Sequence, residues 1–310
     1  MENQKSINVV VPATSANLGP GFDCLGVALN LYNQFRFTQL DPGAGQGLVI
    51  TASGPEAERV DCNANNLVYQ SLVKLCETVG LPVPPVQIDI QLGIPMARGL
   101  GSSATAIAAG LAGGNYLLGN PLDYRGVIAL AIALEGHPDN IVSALLGSCH
   151  LSAERDGQWY QDTIPWHSSI APVVAIPDFE LSTSEARKVL PETYSRADAT
   201  FNVAHATLLI RGLETGSREL LTVGMQDKIH QPYRFGLIHG SEAVRQAART
   251  AGAYEVAISG AGPTLLALTH GDQATAVASA MQQAWQAQGV GAIAKVLQLD
   301  LNGTRLHPPQ

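Results

Sequence analysis

The chain has 310 residues, enough for one large domain or two, and with 46% hydrophobic and 14% charged residues it is too apolar to be intrinsically disordered. Twenty-six acidic against 18 basic side chains leave a net charge of −8, which argues against a nucleic-acid partner and against an anionic membrane surface. The four cysteines, Cys24, Cys62, Cys76 and Cys149, form no CxxC pair, and no leader-like segment or membrane-length apolar run is visible, so neither zinc nor a disulfide framework is expected and the localisation expected is cytoplasmic.

In chain order, INVVV (7–11) and residues 29–39 read as strands, with the turn-rich loop ATSANLGPGFDCLG (13–26) between them. Leu67, Val68, Leu72, Leu75, Cys76 and Val79 recur at helical spacing, and Gly80 is the stop. Residues 86–92 alternate as a half-buried strand, followed by a glycine-rich turn that opens a segment so dominated by Ala and Gly that its helix must lie close to its neighbours. Helices are expected from Pro121 and Asp123 to Leu134 and from HPDN (137–140) to about Gly147, then a hairpin around a type I′ turn at Asp156 and Gly157. The second half starts near residue 168 with a strand at 171–177 and a short helix whose capping box is Ser182 and Glu185. Helices at 198–213, 217–223 and 236–250, strands YEVAIS and TLLALT, a helix over 272–288 and a strand near 292–299 complete an α+β pattern of split βαβ type.

Three loops carry candidate chemistry. In PMARGLGSSAT (Pro95, Met96, Ala97, Arg98, Gly99, Leu100, Gly101, Ser102, Ser103, Ala104 and Thr105) a glycine turn leads into a helix, and free N–H groups with the helix dipole form a phosphate cradle; a serine-capped turn is the plain alternative. No GxxxxGK[ST] or GxGxxG occurs. In PATSANLGPGFD (12–23), Asn17 and Asp23 face either a ligand or their own backbone. SGAGPT (259–264) lies between two strands, with amides free to meet a ligand or to close a hairpin.

Together, and in this order, the three motifs resemble the signatures of the kinase superfamily of galactokinase, homoserine kinase, mevalonate kinase and phosphomevalonate kinase. With GVALN (26–30), EGHPDN (135–140) and STSEARKVLP (182–191), the chain is most similar to the homoserine kinases, over nearly its whole length. The resemblance implies a ribosomal protein S5 domain 2-like N-terminal domain (1–168) that binds ATP and a ferredoxin-like α/β sandwich C-terminal domain (169–310). It implies ATP and Mg²⁺, with loop 95–105 as the phosphate loop, Ser102, Ser103 and Glu135 on the metal, and Asn66 either near adenine or a plain helix cap. Asn17, Asp23, His137, Thr183, Arg187, Arg234 and the Gly260 backbone would surround L-homoserine, and the resemblance is compatible with a homodimer. The substrate's chemistry suits them: Asp23 can meet an ammonium, and Arg187 and Arg234 a carboxylate. Otherwise Arg187 would pair with Glu180 or Glu185, and His137 would be a turn histidine. Asp139 is a candidate general base, or a cap of its helix. The role of Arg98, where many relatives have a small residue, is open. Rival readings are a mevalonate or sugar kinase and a non-catalytic ATP-binding regulator.

Overall fold

The computed structural model describes residues 5–41 and 47–308; the absence of a leader was read in part from residues 1–4, outside that range. Strands β1 (Ser6–Ala16) and β2 (Leu25–Gln39) pair antiparallel, with one register shift at Pro12/Ala13. Ile7, Val9 and Val11, which marked the first strand in the sequence, turn one buried face towards the helices. β1 also takes in residues 12–16, so the first motif starts as strand and turns only at Asn17. β3 (Leu48–Ser53), not anticipated from the sequence, runs parallel to β4 (Val86–Gln91), and β4 pairs with the second half of β2. The hairpin of β5 (Cys149–Arg155) and β6 (Gln158–Ile164) turns through Asp156 and Gly157, whose φ angles of 53° and 75° are those of the expected type I′ turn.

Helices α1 (Leu67–Val79), α2 (Ser102–Leu117), α3 (Tyr124–Glu135) and α4 (Pro138–Leu146) share a core with this sheet. The small residues of α2 allow the close approach expected of them, since a Cβ on Gly113 would land on the ring of Phe37.

A second, antiparallel sheet comprises β7 (Ile170–Pro177), β8 (Glu255–Ile258), β9 (Leu265–His270) and β10 (Ala292–Val296) in the order β10-β7-β9-β8, the ferredoxin-like arrangement. Its connections hold α5 (Thr183–Lys188), α6 (Arg196–Thr215), α7 (Arg218–Gly224), α8 (Gln231–Arg234), α9 (Ser241–Thr250) and α10 (Ala274–Ala287). The helix expected over 236–250 starts only at Ser241, because Phe235–Leu237 forms a tighter 3₁₀ turn and Gly240 reverses the backbone. The chain end does not stay with this second unit, as a 169–310 division would have it: β11 (Arg305–His307) returns to pair with β1. Side chains of both units, among them Leu25, Leu29, Val174 and Leu266, form one core cluster at the junction, which holds the two sheets together.

Candidate active site

The three loops meet. The Ser259 hydroxyl lies 2.6 Å from the Gly99 carbonyl and 2.8 Å from the Ser15 hydroxyl, and Asn17 Nδ2 donates to the Gly260 carbonyl at 2.9 Å. Thr14 N–H donates to the Leu100 carbonyl at 3.1 Å. They border a cavity of about 490 Å³ between the two units, within the range of small-molecule sites.

At one end α2 begins with Gly101 as its N-cap, at φ 70°, and no side chain caps it. Its first N–H groups therefore lack internal partners, and no acid stands in its first turn. A Cβ on Gly101 would strike Thr14 Oγ1, so this glycine packs the loop against β1. Ser103 Oγ donates to Glu135 Oε1 at 2.8 Å. Burial lifts the Glu135 carboxyl above its ordinary value, with the Ser103 hydrogen bond working against the rise. A half-buried carboxylate beside a hydroxyl suits a hard divalent cation, so these donors fit Mg²⁺; Ser102 lines the same end. Phe35, Val60, Leu67, Ile90 and Leu92 add an apolar wall. Asn66 is on that wall as the cap of α1: its Oδ1 accepts from Val68 N–H at 2.9 Å and its Nδ2 donates to the Asp61 carbonyl at 2.8 Å.

At the other end the charges gather. Asp23, at φ 58°, donates its N–H to Asn17 Oδ1 at 3.0 Å, and the Arg187 fork grips its carboxylate at 2.7 and 3.0 Å. Asp23 and Arg187, assigned from the sequence to opposite ends of a ligand, are thus each other's partners. Neither Glu180 nor Glu185 pairs with Arg187, since Glu180 binds Arg59 and Arg98 and Glu185 closes the capping box on Ser182. Arg234 is 2% exposed, donates to the carbonyls of Ala186 and Gly260, and is pulled down to about 10 by burial and by the neighbouring Arg187 charge. Both guanidinium groups lie over the Phe22 ring, at 5.5 and 5.2 Å.

His137 Nδ1 lies 2.7 Å from Asp139 Oδ1, which also accepts from Asn140 N–H at 2.7 Å. Burial opposes the charged imidazole, but the hydrogen bond to Asp139 and the charges of Asp139, Glu135 and Asp23 outweigh it and lift His137. Donor atoms of Asp23, His137 and Asp139 come within 4.8 Å of one another. Asp139 can sit so deep because Gly26 lies behind it, where a Cβ would strike the Asp139 carbonyl.

Thr183, the first residue of α5, is exposed on the cavity wall. Gly260 is on the wall too, but its N–H donates to the Ala16 carbonyl at 3.2 Å and its carbonyl takes two donors, so its polar groups join the loops. Met96, Ala97, Gly99 and Thr105 line the cavity, whereas Leu100 and Ala104 point into the core and Pro95 is off the wall. Arg98 turns its guanidinium away from the helix start, towards carbonyls at the end of β7. Asn33 and Asn140 were not anticipated. Asn33 Oδ1 receives Gly93 and Ile94 N–H, and its Nδ2 donates to Thr105, which fixes both ends of loop 95–105. Its only signal is an amide at a strand position that is buried here. Asn140 Oδ1 accepts from Thr14 Oγ1 at 2.8 Å, a role that its place in HPDN does not reveal.

The GHMP kinases N terminal domain matches residues 66–148 and the GHMP kinases C terminal domain residues 208–287. The chain is 58% identical over 298 residues to a homoserine kinase of Nostoc sp., covering 96% of this chain and 98% of that one. Against the homoserine kinase of Trichodesmium erythraeum it is 56% identical over 303 residues, covering 98% and 99%. The crystal structure of homoserine kinase from Cytophaga hutchinsonii superposes with a TM-score of 0.88 at 30% identity, covering 99% of both chains. L. major mevalonate kinase, at TM-score 0.70 and 15% identity over 97% of this chain and 99% of that one, shares the fold. The two matched domains in this order, and relatives so similar from end to end, place the chain in the GHMP kinase family, among its homoserine kinases.

Proposed function

We propose that the protein transfers the γ-phosphoryl group of Mg·ATP to the side-chain hydroxyl of L-homoserine, giving O-phospho-L-homoserine for threonine biosynthesis in the cytoplasm. The observation that carries this reading is the division of one cavity into an uncapped helix start beside a hydroxyl–carboxylate pair and a cluster holding both signs of charge. The first suits a nucleotide's phosphates and the second an amino acid zwitterion.

Phosphoryl transfer asks mainly for alignment and charge stabilisation. The first N–H groups of α2 and the loop before it hold phosphate oxygens, and Ser102, Ser103 and Glu135 would hold Mg²⁺, which neutralises phosphate charge when bound. The apolar wall near Asn66 takes the base. Homoserine presents its ammonium to Asp23 and its carboxylate to Arg187 and Arg234, so the zwitterion replaces the Asp23–Arg187 pair with two pairs of its own. Asp139 Oδ1 is occupied by His137 and Asn140. Oδ2, with no bonded partner among the described residues, accepts the hydroxyl proton.

A coupled ADP-release assay across homoserine, mevalonate, galactose and shikimate tests the reading. ADP should appear with homoserine alone. Release with mevalonate or galactose in its place would overturn the substrate, and no release with any acceptor would favour a nucleotide-binding regulator.

A further inference from the structure

The Arg98 side chain does not do what its place in the phosphate loop suggests. Four hydrogen bonds to protein acceptors and two ion pairs hold its guanidinium. Nε donates to the Pro177 carbonyl at 3.1 Å, Nη1 to the Met96 carbonyl at 2.6 Å and to Glu180 Oε1 at 3.3 Å, and Nη2 to the Asp178 carbonyl at 3.1 Å, while Glu56 Oε1 lies 3.2 Å from Nη2 as an ion pair. Arg98 is 8% exposed, and these protein groups engage its guanidinium from several sides. Arg59 bridges the same two carboxylates, which closes a ring of two arginines and two glutamates.

The segments joined by this ring are those that present the cavity's working residues. Glu56 and Arg59 precede Val60 and Asn66 on the apolar wall, and Arg98 precedes Ser102 and Ser103. Pro177, Asp178 and Glu180 lead straight into α5, which carries Thr183 and Arg187. Among the described residues, the backbone bond from Leu181 N–H to the Ala97 carbonyl, at 3.3 Å, is the other hydrogen bond between this stretch and the loop.

We infer that Arg98 is a positioning residue, which fastens the substrate-side helix α5 to the phosphate loop and so holds the acceptor in register with the nucleotide. The inference rests on the kinase reading above and adds a residue that touches neither substrate. Only a guanidinium can serve here: a lysine would leave the carbonyls of Pro177, Asp178 or Met96 short of donors.

The test uses steady-state kinetics on folded protein, with melting curves alongside. Arg98→Ala should raise KM for homoserine about tenfold or more, the scale of coupling between neighbouring sites, with a smaller change in KM for ATP. Arg98→Lys should not restore it. Because removing a buried arginine can unfold the protein, Glu180→Gln opens the ring from its solvent side and should raise KM for homoserine several-fold. In the double variant Arg98→Ala, Glu180→Gln the two losses should not add. A merely structural role would lower the melting temperature and leave KM of the folded enzyme unchanged. Wild-type KM for homoserine in folded Arg98→Ala, or in Glu180→Gln if the first does not fold, overturns the inference. Inert wild-type enzyme with homoserine would instead defeat the substrate reading on which the inference rests.

Discussion

Two helices open onto the same cavity, and they are finished in opposite ways. α2 starts at a glycine, with no capping side chain and no acid in its first turn. α4 starts at His137-Pro138 and carries Asp139 in its first turn, where the carboxylate accepts the next N–H and meets the imidazole. Both helix ends are electropositive, but α4 brings its own anion while α2 leaves its N–H groups for one from outside. The contrast supports the proposal that phosphate binds at α2 and that the α4 carboxylate acts on the acceptor.

The sharpest way to break this comparison is Asp139→Asn, which keeps an acceptor for Asn140 N–H and removes the charge. As proton acceptor, Asp139 should cost about 10²-fold to 10⁴-fold in kcat when so changed. If it only finishes the helix, denaturation would show a loss of about 1 kcal/mol while kcat stays unchanged.

Glu135→Gln probes the α2 end. Turnover at saturating Mg²⁺ should fall about 100-fold, the cost of a damaged metal site, and wild-type Mg²⁺ dependence would remove Glu135 from the metal. Stability should move the other way. The folded carboxyl is raised by burial, so the stabilising proton is held below the unfolded value and lost as pH rises through the folded one. Without metal, the wild type should therefore lose stability relative to the glutamine variant as pH rises, which melting curves across pH would show.

Asp23→Asn should weaken homoserine and leave ATP almost untouched. The pair with Arg187 is about a third exposed, which sets the loss near the lower bound for a broken ion pair, about 2 kcal/mol or roughly 30-fold in KM. Comparison with 4-hydroxybutyrate, which lacks the amino group, completes a double-mutant cycle; full additivity would mean that Asp23 and the ammonium do not meet.

The smallest effect belongs to a third helix start. Asn66 caps α1 through Oδ1 and ties the preceding turn at the Asp61 carbonyl through Nδ2, so Asn66→Ala should cost about 1 kcal/mol in denaturant unfolding. ATP affinity of the folded variant, measured by calorimetry, should stay near wild type; a tenfold loss would move Asn66 from cap to ligand.

Local chemistry explains what could be read from the sequence. The α1 stripe, the stop at Gly80, the I′ hairpin and the Ser182–Glu185 box depend on neighbours within a few residues, and each is in the structure. β3 and β11 escaped notice because neither has a long alternating run, and each becomes a strand by pairing with β4 or β1. In the site, the motifs named the residues but not their partners. Nothing near Asp23 in sequence points to Arg187, 164 residues away, and nothing in loop 95–105 shows that Arg98 reaches 79 and 80 residues along the chain to the carbonyls of Pro177 and Asp178.

The sequence by itself determined the α+β class, the helix and turn signals and the three glycine loops, because backbone freedom, hydrophobic period and capping are written into short windows. Tertiary structure decided which polar groups stay free for a ligand. It used the Gly260 carbonyl, the Asn66 amide and the Arg98 guanidinium to join the fold, and it left the start of α2 uncapped. A buried donor or acceptor must find a partner, and whether that partner is protein or ligand depends on which distant segments are packed beside it.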